Sequence, residues 1–346
     1  MAGGFSVLTM TRGERLCYNE GKRENALDGA GRSGRMSVSV LLTNLVGLFL
    51  MIGVGFVAVR VGVLPASATT PLTALLMKIT LPATIFVSML RPFEAEFLGD
   101  ALLMFGLGFL FHISYVILSQ PLSRLFRVPK GRRGMWALCC SFCNNGFMGY
   151  PVAYALFGEE GMALAVMLGV PFNLLLYSLG AKLAASDGEA EKEAATVSWG
   201  KVLFSAVNLA IVLGLTFYCL QVSVPEAVLT PVQYLSDITT PLSMLVTGMN
   251  LAEGKLSDAL LDRDVRSICL VRLLLFPILT WAVVELLPIA NPMAVGVVII
   301  IMAMPCAAAT VVIGEEYGGC VELGARAVFV SSLLCIVTIP LISLLV

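Results

Sequence analysis

The amino-acid sequence predicts an all-α integral membrane protein with ten transmembrane helices, arranged as two inverted five-helix repeats whose fourth and ninth helices are broken by prolines. Three observations lead to this fold class. Hydrophobic residues make up 58% of the 346-residue chain and charged residues only 13%, whereas about a quarter of the residues in a soluble domain carry a charge. The charges lie in short clusters between apolar runs of about 20 residues, the length that crosses a bilayer as a helix. Short motifs also recur in the same order in both halves of the chain.

Ten apolar segments are predicted to cross the membrane one after another. Because their number is even, both ends of the spanning region lie on the same side. The segments cover approximately residues 38–59, 68–90, 98–119, 134–157, 160–183, 200–222, 229–251, 266–287, 291–313 and 323–346.

Basic residues distinguish the two sides of the membrane. They concentrate in the loops at residues 120–133, 182–201 and 252–266, while the alternate loops contain Arg91 and little else. Cytoplasmic loops carry the excess of lysine and arginine in membrane proteins. The sequence therefore predicts a multi-pass protein of the cell inner (plasma) membrane, with these three loops in the cytoplasm and both ends of the spanning region outside.

Residues 1–35 do not fit this orientation, because their basic side chains would have to lie outside. The segment is polar and glycine-rich and lacks the apolar stretch of a signal peptide. We predict that Met36 is the natural start and that residues 1–35 are a misassigned extension, or otherwise a disordered tail. The rest divides into a first repeat at 36–183, a short cytoplasmic linker at 184–199 and a second repeat at 200–346.

The composition excludes several classes of function. A net charge of -1 gives no case for nucleic-acid binding, and a single histidine rules out a multi-histidine metal centre. The nine cysteines lie almost all in or beside apolar runs, where cysteine behaves as a small hydrophobic residue. The Gly-x-Gly-x-x-Gly at residues 29–34 follows no strand, so it does not predict a dinucleotide site. We predict no metal and no cofactor.

Three pairs of matching motifs indicate an internal repeat. Residues 78–82 in the second span match 237–241 in the seventh, and residues 98–103 match 256–261. A proline in the fourth span and one in the ninth are each followed, after an apolar run, by Gly-Glu-Glu at 158–160 and 314–316. Since each half holds an odd number of spans, such a repeat must be inverted in the membrane, as in many secondary transporters.

The fourth span carries polar residues at mid-membrane depth, where lipid cannot satisfy them. Asn144 and Asn145 precede two glycines and Pro151. Pro151 lacks an N–H and clashes with the carbonyl of Phe147, so we predict that the helix unwinds there. Pro305 is expected to do the same in the ninth span and to free the carbonyl of Ile301.

Two helices that restart near the membrane centre present positive N-terminal ends, which attract anions. The amides of Asn144 and Asn145 can donate to a carboxylate without adding a charge. The alternative is that the prolines only kink the helices and the asparagines only join them. The asparagine pair, the glycines and the symmetry-related second proline favour the anion site.

Lys78 and Asp237 are costly inside a membrane and occupy equivalent positions of the two repeats. They either pair, or one carries a coupling proton, or each reaches toward the nearer interface. Arg272 is predicted to reach toward the interface in this way. His112 is predicted to be a hydrogen-bonded helix contact rather than a proton relay, and the glutamates at 159–160 and 315–316 are predicted to be solvated loop charges.

At these residues the sequence resembles the auxin efflux carrier family of membrane transporters. The resemblance runs through residues 38–346 and is most specific at residues 81–86, 144–151, 156–158, 171–173, 272–277 and 304–305. It implies a dimerising scaffold formed by the first two helices of each half, and a transport domain that moves by an elevator mechanism. It further implies an organic anion beside Pro151 and Pro305, with its carboxylate near Asn144 and Asn145 and with Asn173 as a weaker candidate.

The chain lacks the long hydrophilic central loop of the plant carriers, so the resemblance is to bacterial-type members and auxin is not implied. Prokaryotic relatives are associated with small carboxylates such as malate or malonate. The prediction is therefore a secondary transporter of small organic anions, a homodimer in the bilayer, driven by protons or by the membrane potential. The alternative is a channel-like or ligand-sensing protein on the same fold. An enzyme is not predicted, because His112 has no motif partners that would form a catalytic site.

Overall fold

The computed structural model describes residues 38–188, 205–253 and 256–345, and within these ranges the protein is all-helical apart from one isolated β-bridge. The predicted tail at 1–35 and most of the predicted linker at 184–199 lie outside the described residues. By length and composition, six of the described helices are able to cross a membrane. The expected all-α membrane protein is therefore confirmed.

Besides one 3-10 turn at Lys130–Arg132, fourteen helical segments follow one another in the described ranges, and we number them in chain order. They are α1 (Val38–Arg60), α2 (Ala66–Met89), α3 (Ala95–Leu125), α4 (Arg133–Ser141), α5 (145–157), α6 (159–185), α7 (Ala206–Leu220), α8 (Glu226–Asp237), α9 (Thr239–Glu253), α10 (Leu256–Leu261), α11 (Arg263–Leu286), α12 (Pro292–Met302), α13 (Ala309–Tyr317) and α14 (Val321–Ser343).

Three of the predicted spans consist of two helices each. The fourth is α4 and α5, the seventh is α8 and α9, and the ninth is α12 and α13. Between α5 and α6 the chain bends at Gly158, whose φ of 69° lies in the left-handed region that glycine tolerates. The sequence therefore predicted apolar helices, but it did not predict the interruption of the fourth span after Ser141 or that of the seventh after Asp237.

Helix α1 packs against α9 at a distance that only glycine permits. A Cβ on Gly55 would lie 2.2 Å from the carbonyl oxygen of Leu245, and one on Gly248 would lie 2.0 Å from that of Ile52. Small residues let helix backbones approach closely in membranes, where van der Waals packing drives association. Helix α7 packs against α2, where a Cβ on Gly214 would lie 3.0 Å from the side chain of Met89.

The short helices α4 and α12 lie in the protein interior. Helix α4 is buried from Gly134 to Ser141 and α12 is buried at nearly every position. Longer helices surround them: Trp136 of α4 donates to Ser267 of α11 at 2.8 Å, and α12 packs against α11 and α14. Interrupted backbone at membrane depth is tolerated only where protein or a water-filled cavity surrounds it, and this enclosure meets that condition.

An ionic cluster joins several segments at the end of the molecule that carries the basic loops. Arg132 contacts Asp262 at 2.6 Å and Asp264 at 2.5 Å, and Arg326 of α14 reaches Asp262 at 3.4 Å. Burial alone would raise the pKa of Asp262, but the guanidinium of Arg132 holds that pKa below its ordinary value. The cluster fastens the loop before α4 to the loop before α11.

At the opposite end, Arg91 lies 3.3 Å from Glu160, the second residue of α6. The Arg91 side chain also lies over the ring of Phe97, 4.2 Å from its centroid. Glu160 was expected to be a solvated loop charge, and the structure instead gives it a cationic partner. The ion pair joins the α2–α3 loop to the bend at Gly158.

The start of α4 is capped by a carboxylate from beyond the end of α6. The two carboxylate oxygens of Asp187 accept from the backbone N–H groups of Gly134 and Met135, each at 2.7 Å. Replacing Asp187 with alanine should lower the free energy of unfolding by about 1 kcal/mol, the usual cost of losing such a cap. Thermal unfolding of the purified protein measures the change. Asp187→Asn, which keeps one acceptor oxygen, should fall between the alanine variant and the parent, and equal melting temperatures for all three would contradict the capping role.

Candidate functional site

The breaks in the fourth and ninth spans lie side by side and are hydrogen-bonded to each other. The N–H of Asn144 donates to the carbonyl of Pro305 at 2.8 Å, and the N–H of Ala307 donates to the carbonyl of Phe142 at 3.0 Å. Cys143 and Cys306 face each other between these two bonds as an antiparallel pair. Backbone groups released by one break thus find partners in the other. We call residues 142–144 and 305–307 the paired breaks.

Pro151 does not mark the break in the fourth span, so the prediction that the helix unwinds there is wrong. Pro151 is the second residue of a regular helical stretch that begins at Tyr150. Before it, residues Asn145–Gly149 form one wide turn in which Tyr150 donates to the carbonyl of Asn145. Pro151 thus lies inside α5, directly after the wide turn, and the helix continues through it.

Pro305 does lie within the break of the ninth span, between the end of α12 at Met302 and the start of α13 at Ala309. The carbonyl of Ile301 was expected to be released by this proline. It instead accepts from the N–H of Met304 at 3.2 Å, because the chain closes a tight turn before it leaves the helix.

Arg272 joins the C-terminal ends of the two helices that enter the breaks. Its guanidinium donates to the carbonyl of Cys140 in α4 at 3.1 Å and to the carbonyl of Met304 after α12 at 3.1 Å. It also donates to the carbonyl of Met302. The side chain is 0% exposed, so the prediction that it reaches the membrane interface is wrong.

The surroundings explain how a buried guanidinium is tolerated. Among the described residues, no carboxylate forms an ion pair with Arg272. Each helix C-terminus carries roughly half a negative charge, so two such ends together offset about one positive charge. The ring of Tyr115 adds a contact, with its centroid 5.5 Å from the guanidinium carbon. Arg272 therefore fixes both broken helices from their C-terminal side.

A central cavity of about 630 Å³ lies on the other side of the paired breaks, where α5 and α13 begin. Four of the predicted site residues line it, namely Asn144, Asn145, Asn173 and Lys78. Pro151 is buried and does not line the cavity, and Pro305 does not line it either. The first N–H groups of a helix have no acceptor within that helix. The cavity is thus bordered by two helix N-termini and by several side-chain amides.

The two asparagines at the start of α5 are arranged differently. Asn144 caps the helix, because its side-chain oxygen accepts from the N–H of Phe147 at 3.3 Å. Asn145 is 2% exposed, and its Nδ2 has no hydrogen-bond partner among the described residues. A buried, unpartnered amide donor is costly, and it lies on a residue that lines the cavity. Asn173 is already engaged, since its Nδ2 donates to Asn208 Oδ1 at 3.3 Å.

Lys78 and Asp237 line different cavities. Lys78 borders the central cavity, whereas Asp237 borders a second cavity of about 420 Å³ that also contacts α1, α2 and α5. Asp237 accepts from Gln233 at 3.0 Å, and in the described part of the chain Lys78 and Asp237 form no ion pair with each other. A role in ion coupling stays a prediction.

His112 contacts its own helix, as expected, with Nδ1 2.7 Å from the carbonyl oxygen of Gly108. Its ring packs between Phe142 and Phe172, with centroids 5.8 and 5.7 Å away. The histidine thus supports Phe142 in the first of the paired breaks. Sequence reasoning missed the role of Arg272, and it missed the start of α7, where residues 205–207 line the central cavity. The high cost of a charge within an apolar span was the available signal for Arg272.

Helices of membrane-spanning length around two interrupted helices, and a central cavity whose lining includes three asparagines, are the features of a multi-pass membrane transport protein. The family model for membrane transport proteins matches residues 40–343, and the chain belongs to that family. This match confirms the resemblance to the auxin efflux carriers.

Three curated proteins illustrate the relationship. An uncharacterized transporter of Methanocaldococcus jannaschii is 26% identical over 300 residues, which are 85% of this chain and 95% of that protein. An uncharacterized transporter of Methanothermobacter thermautotrophicus is 24% identical, over 86% of this chain and 95% of its own length. A protein of Rhizobium meliloti named "Putative malonate transporter" is 22% identical over 84% of this chain and 91% of its own length.

Proposed function

We propose that the protein is a secondary transporter of small organic anions, with the central cavity as its substrate site. The observation that carries the proposal is the buried Nδ2 of Asn145, which has no partner among the described residues although Asn145 lines the cavity. A substrate carboxylate would accept from this group. In this proposal the N-termini of α5 and α13 add partial positive charge that attracts the carboxylate.

The electrostatics of the cavity favour binding that remains reversible. Helix N-termini and amide groups attract an anion through partial charges, and Lys78 adds a full positive charge at the cavity wall. A site made only of cationic side chains would hold a dicarboxylate more strongly and would slow its release. The cavity volume of about 630 Å³ falls within the usual 300–1,000 Å³ of small-molecule sites. The name of the Rhizobium meliloti relative adds support for a small dicarboxylate.

The proposed architecture is ten membrane-crossing helices in two inverted repeats. The packing of α1 on α9 and of α7 on α2 pairs the first span with the seventh and the sixth with the second, as an inverted repeat requires. The fourth and ninth spans are both interrupted, and their breaks lie side by side. In this scheme α1, α2, α7, α8 and α9 form a scaffold through which two copies dimerise, and the other helices form a mobile transport domain.

The two cavities fit alternating access. With the basic loops in the cytoplasm of a cell inner membrane, α7 starts on the inner side and its first turn lines the central cavity. Helix α1 starts on the outer side, and its residues 43–51 line the second cavity. The described conformation would therefore be open inward, and an elevator movement of the transport domain would carry the anion outward. Protons or the membrane potential would drive it.

Counterflow in proteoliposomes tests the function. Vesicles loaded with unlabelled malonate should accumulate labelled malonate from outside transiently and with saturation. The competing function, a channel-like or ligand-sensing protein, would give no counterflow, and that result across a panel of mono- and dicarboxylates would overturn the proposal.

Removal of either cavity amide should weaken substrate binding. We expect Asn145→Ala to raise the KM for carboxylate exchange roughly 10- to 100-fold, because a hydrogen bond to a charged group contributes about 1.5–3 kcal/mol. Asn144→Ala should act similarly through the lost helix cap. Asn250→Ala removes the same amide from an exposed position of α9 and should leave KM unchanged. Parent-like KM values for both cavity variants would remove the asparagines from the site.

A further inference from the structure

Of the two polar atoms in the Asn145 side-chain amide, only one has a hydrogen-bond partner among the described residues. The thiol of Cys143 donates to Asn145 Oδ1 at 2.8 Å, while Asn145 Nδ2 has no partner among the described residues. Both residues line the central cavity, and Cys143 is 0% exposed. A thiol is a weak donor, but within the protein interior a hydrogen bond to an amide oxygen is stronger than in water.

The orientation of this amide decides what the cavity presents to an anion. With Nδ2 toward the cavity, Asn145 offers a hydrogen-bond donor, whereas a half-turn of the amide would present the oxygen, which repels a carboxylate. The amide oxygen is a strong acceptor, so a donor on the side away from the cavity holds the oxygen there and leaves Nδ2 toward the cavity. Cys143 supplies that donor.

The position of Cys143 is set by the paired breaks. Its two neighbours, Phe142 and Asn144, are hydrogen-bonded to the ninth span at 3.0 and 2.8 Å, and Cys143 itself lies opposite Cys306. The N–H of Asn145 also donates to the carbonyl of Cys143 at 2.9 Å. The paired breaks therefore fix the position of the thiol that donates to the Asn145 amide.

We propose that Cys143 is a positioning residue for anion binding, which holds the carboxamide of Asn145 with its Nδ2 donor toward the cavity. The inference rests on the proposed function and adds to it a residue that acts on the substrate through Asn145. The substrate class it serves is a carboxylate, whose oxygens accept from Nδ2. Loss of the thiol should weaken binding without blocking the movement that carries the substrate.

Reconstituted protein with malonate counterflow as the assay tests this role. Cys143→Ala should raise KM about tenfold with little change in kcat, whereas Cys143→Ser, which keeps a donor, should stay within about twofold of the parent. Cys335→Ala removes an equally buried thiol from α14 and should leave KM unchanged. Thermal unfolding of each variant establishes that it is folded.

A double-mutant cycle separates positioning from packing. In the Asn145→Ala background, Cys143→Ala should add no further increase in KM, because there is no amide left to orient. An equal increase in both backgrounds, or a KM for Cys143→Ala that matches the parent, would overturn the proposal while leaving anion transport intact. If the parent protein itself shows no saturable exchange with any carboxylate tested, the proposed function fails and this role fails with it.

Discussion

Replacement of Arg272 by methionine is expected to abolish transport. It should also lower the melting temperature more than any single substitution within the paired breaks. The three carbonyls of Cys140, Met302 and Met304 would lose their donor in the protein interior. Hydrogen bonds from a charged group contribute about 1.5–3 kcal/mol each, so we expect a loss of several kcal/mol. Methionine is shorter than arginine, but it is apolar and flexible and fills irregular gaps in a core, so the main effect comes from the lost donors.

Two comparisons make this prediction specific. Arg272→Lys keeps the charge but not the planar fork that reaches three carbonyls, and it should retain part of the stability and of the transport rate. Arg266→Met removes an exposed arginine from the same helix and should behave as the parent does. Size-exclusion chromatography, thermal unfolding and malonate counterflow provide the readouts. A stable and active Arg272→Met protein would show that the broken helices stay together without the hydrogen bonds from the guanidinium.

The sequence alone predicted an all-α membrane protein and four of the residues that line the central cavity, because both depend on local signals. Composition and run length locate membrane helices, and the run from Asn144 to Pro151 is unusual in any apolar segment. Asn144, Asn145, Asn173 and Lys78 indeed line one cavity. These residues come from helices α2, α5 and α6, so the structure brings together what the sequence had identified in separate segments.

The position of the break in the fourth span could not be predicted, because it depends on a partner more than 150 residues away in the chain. The proline rule pointed to Pro151, which the first helical turns of α5 accommodate. The chain instead leaves the helix after Ser141, where residues 142–144 find hydrogen-bond partners at 305–307. Local propensity marks where interruption is permitted, and tertiary pairing decides where it occurs.

The role of Arg272 was hidden for the same reason. Its depth within an apolar span is visible in the sequence, but the carbonyls that it contacts exist as unpaired groups only because two other spans end beside it. Without the positions of those ends, reaching toward the interface was the simplest interpretation. Buried charges in such spans are better judged together with the places where neighbouring helices could end.

Replacement of Asn145 by aspartate should abolish carboxylate exchange at neutral pH while leaving the fold intact. The two side chains have nearly the same size, and Cys143 can donate to an aspartate oxygen as it does to Oδ1. The new carboxylate, however, would face a substrate anion in place of a donor. Two like charges 4 Å apart repel by about 4 kcal/mol at an effective dielectric constant of 20, which corresponds to roughly a 1,000-fold loss in affinity.

The pH dependence of this variant tests whether the loss of exchange comes from the introduced negative charge. Acidification protonates the introduced carboxyl, which removes the repulsion and restores a hydrogen-bond donor. The exchange rate of Asn145→Asp should therefore rise as the pH falls, and it should rise more than the exchange rate of the parent. Asn250→Asp adds the same charge at an exposed position and should show neither the loss nor the recovery. Exchange by Asn145→Asp at the parent's rate at neutral pH would mean that residue 145 does not face the substrate, and the anion site at the start of α5 would have to be abandoned.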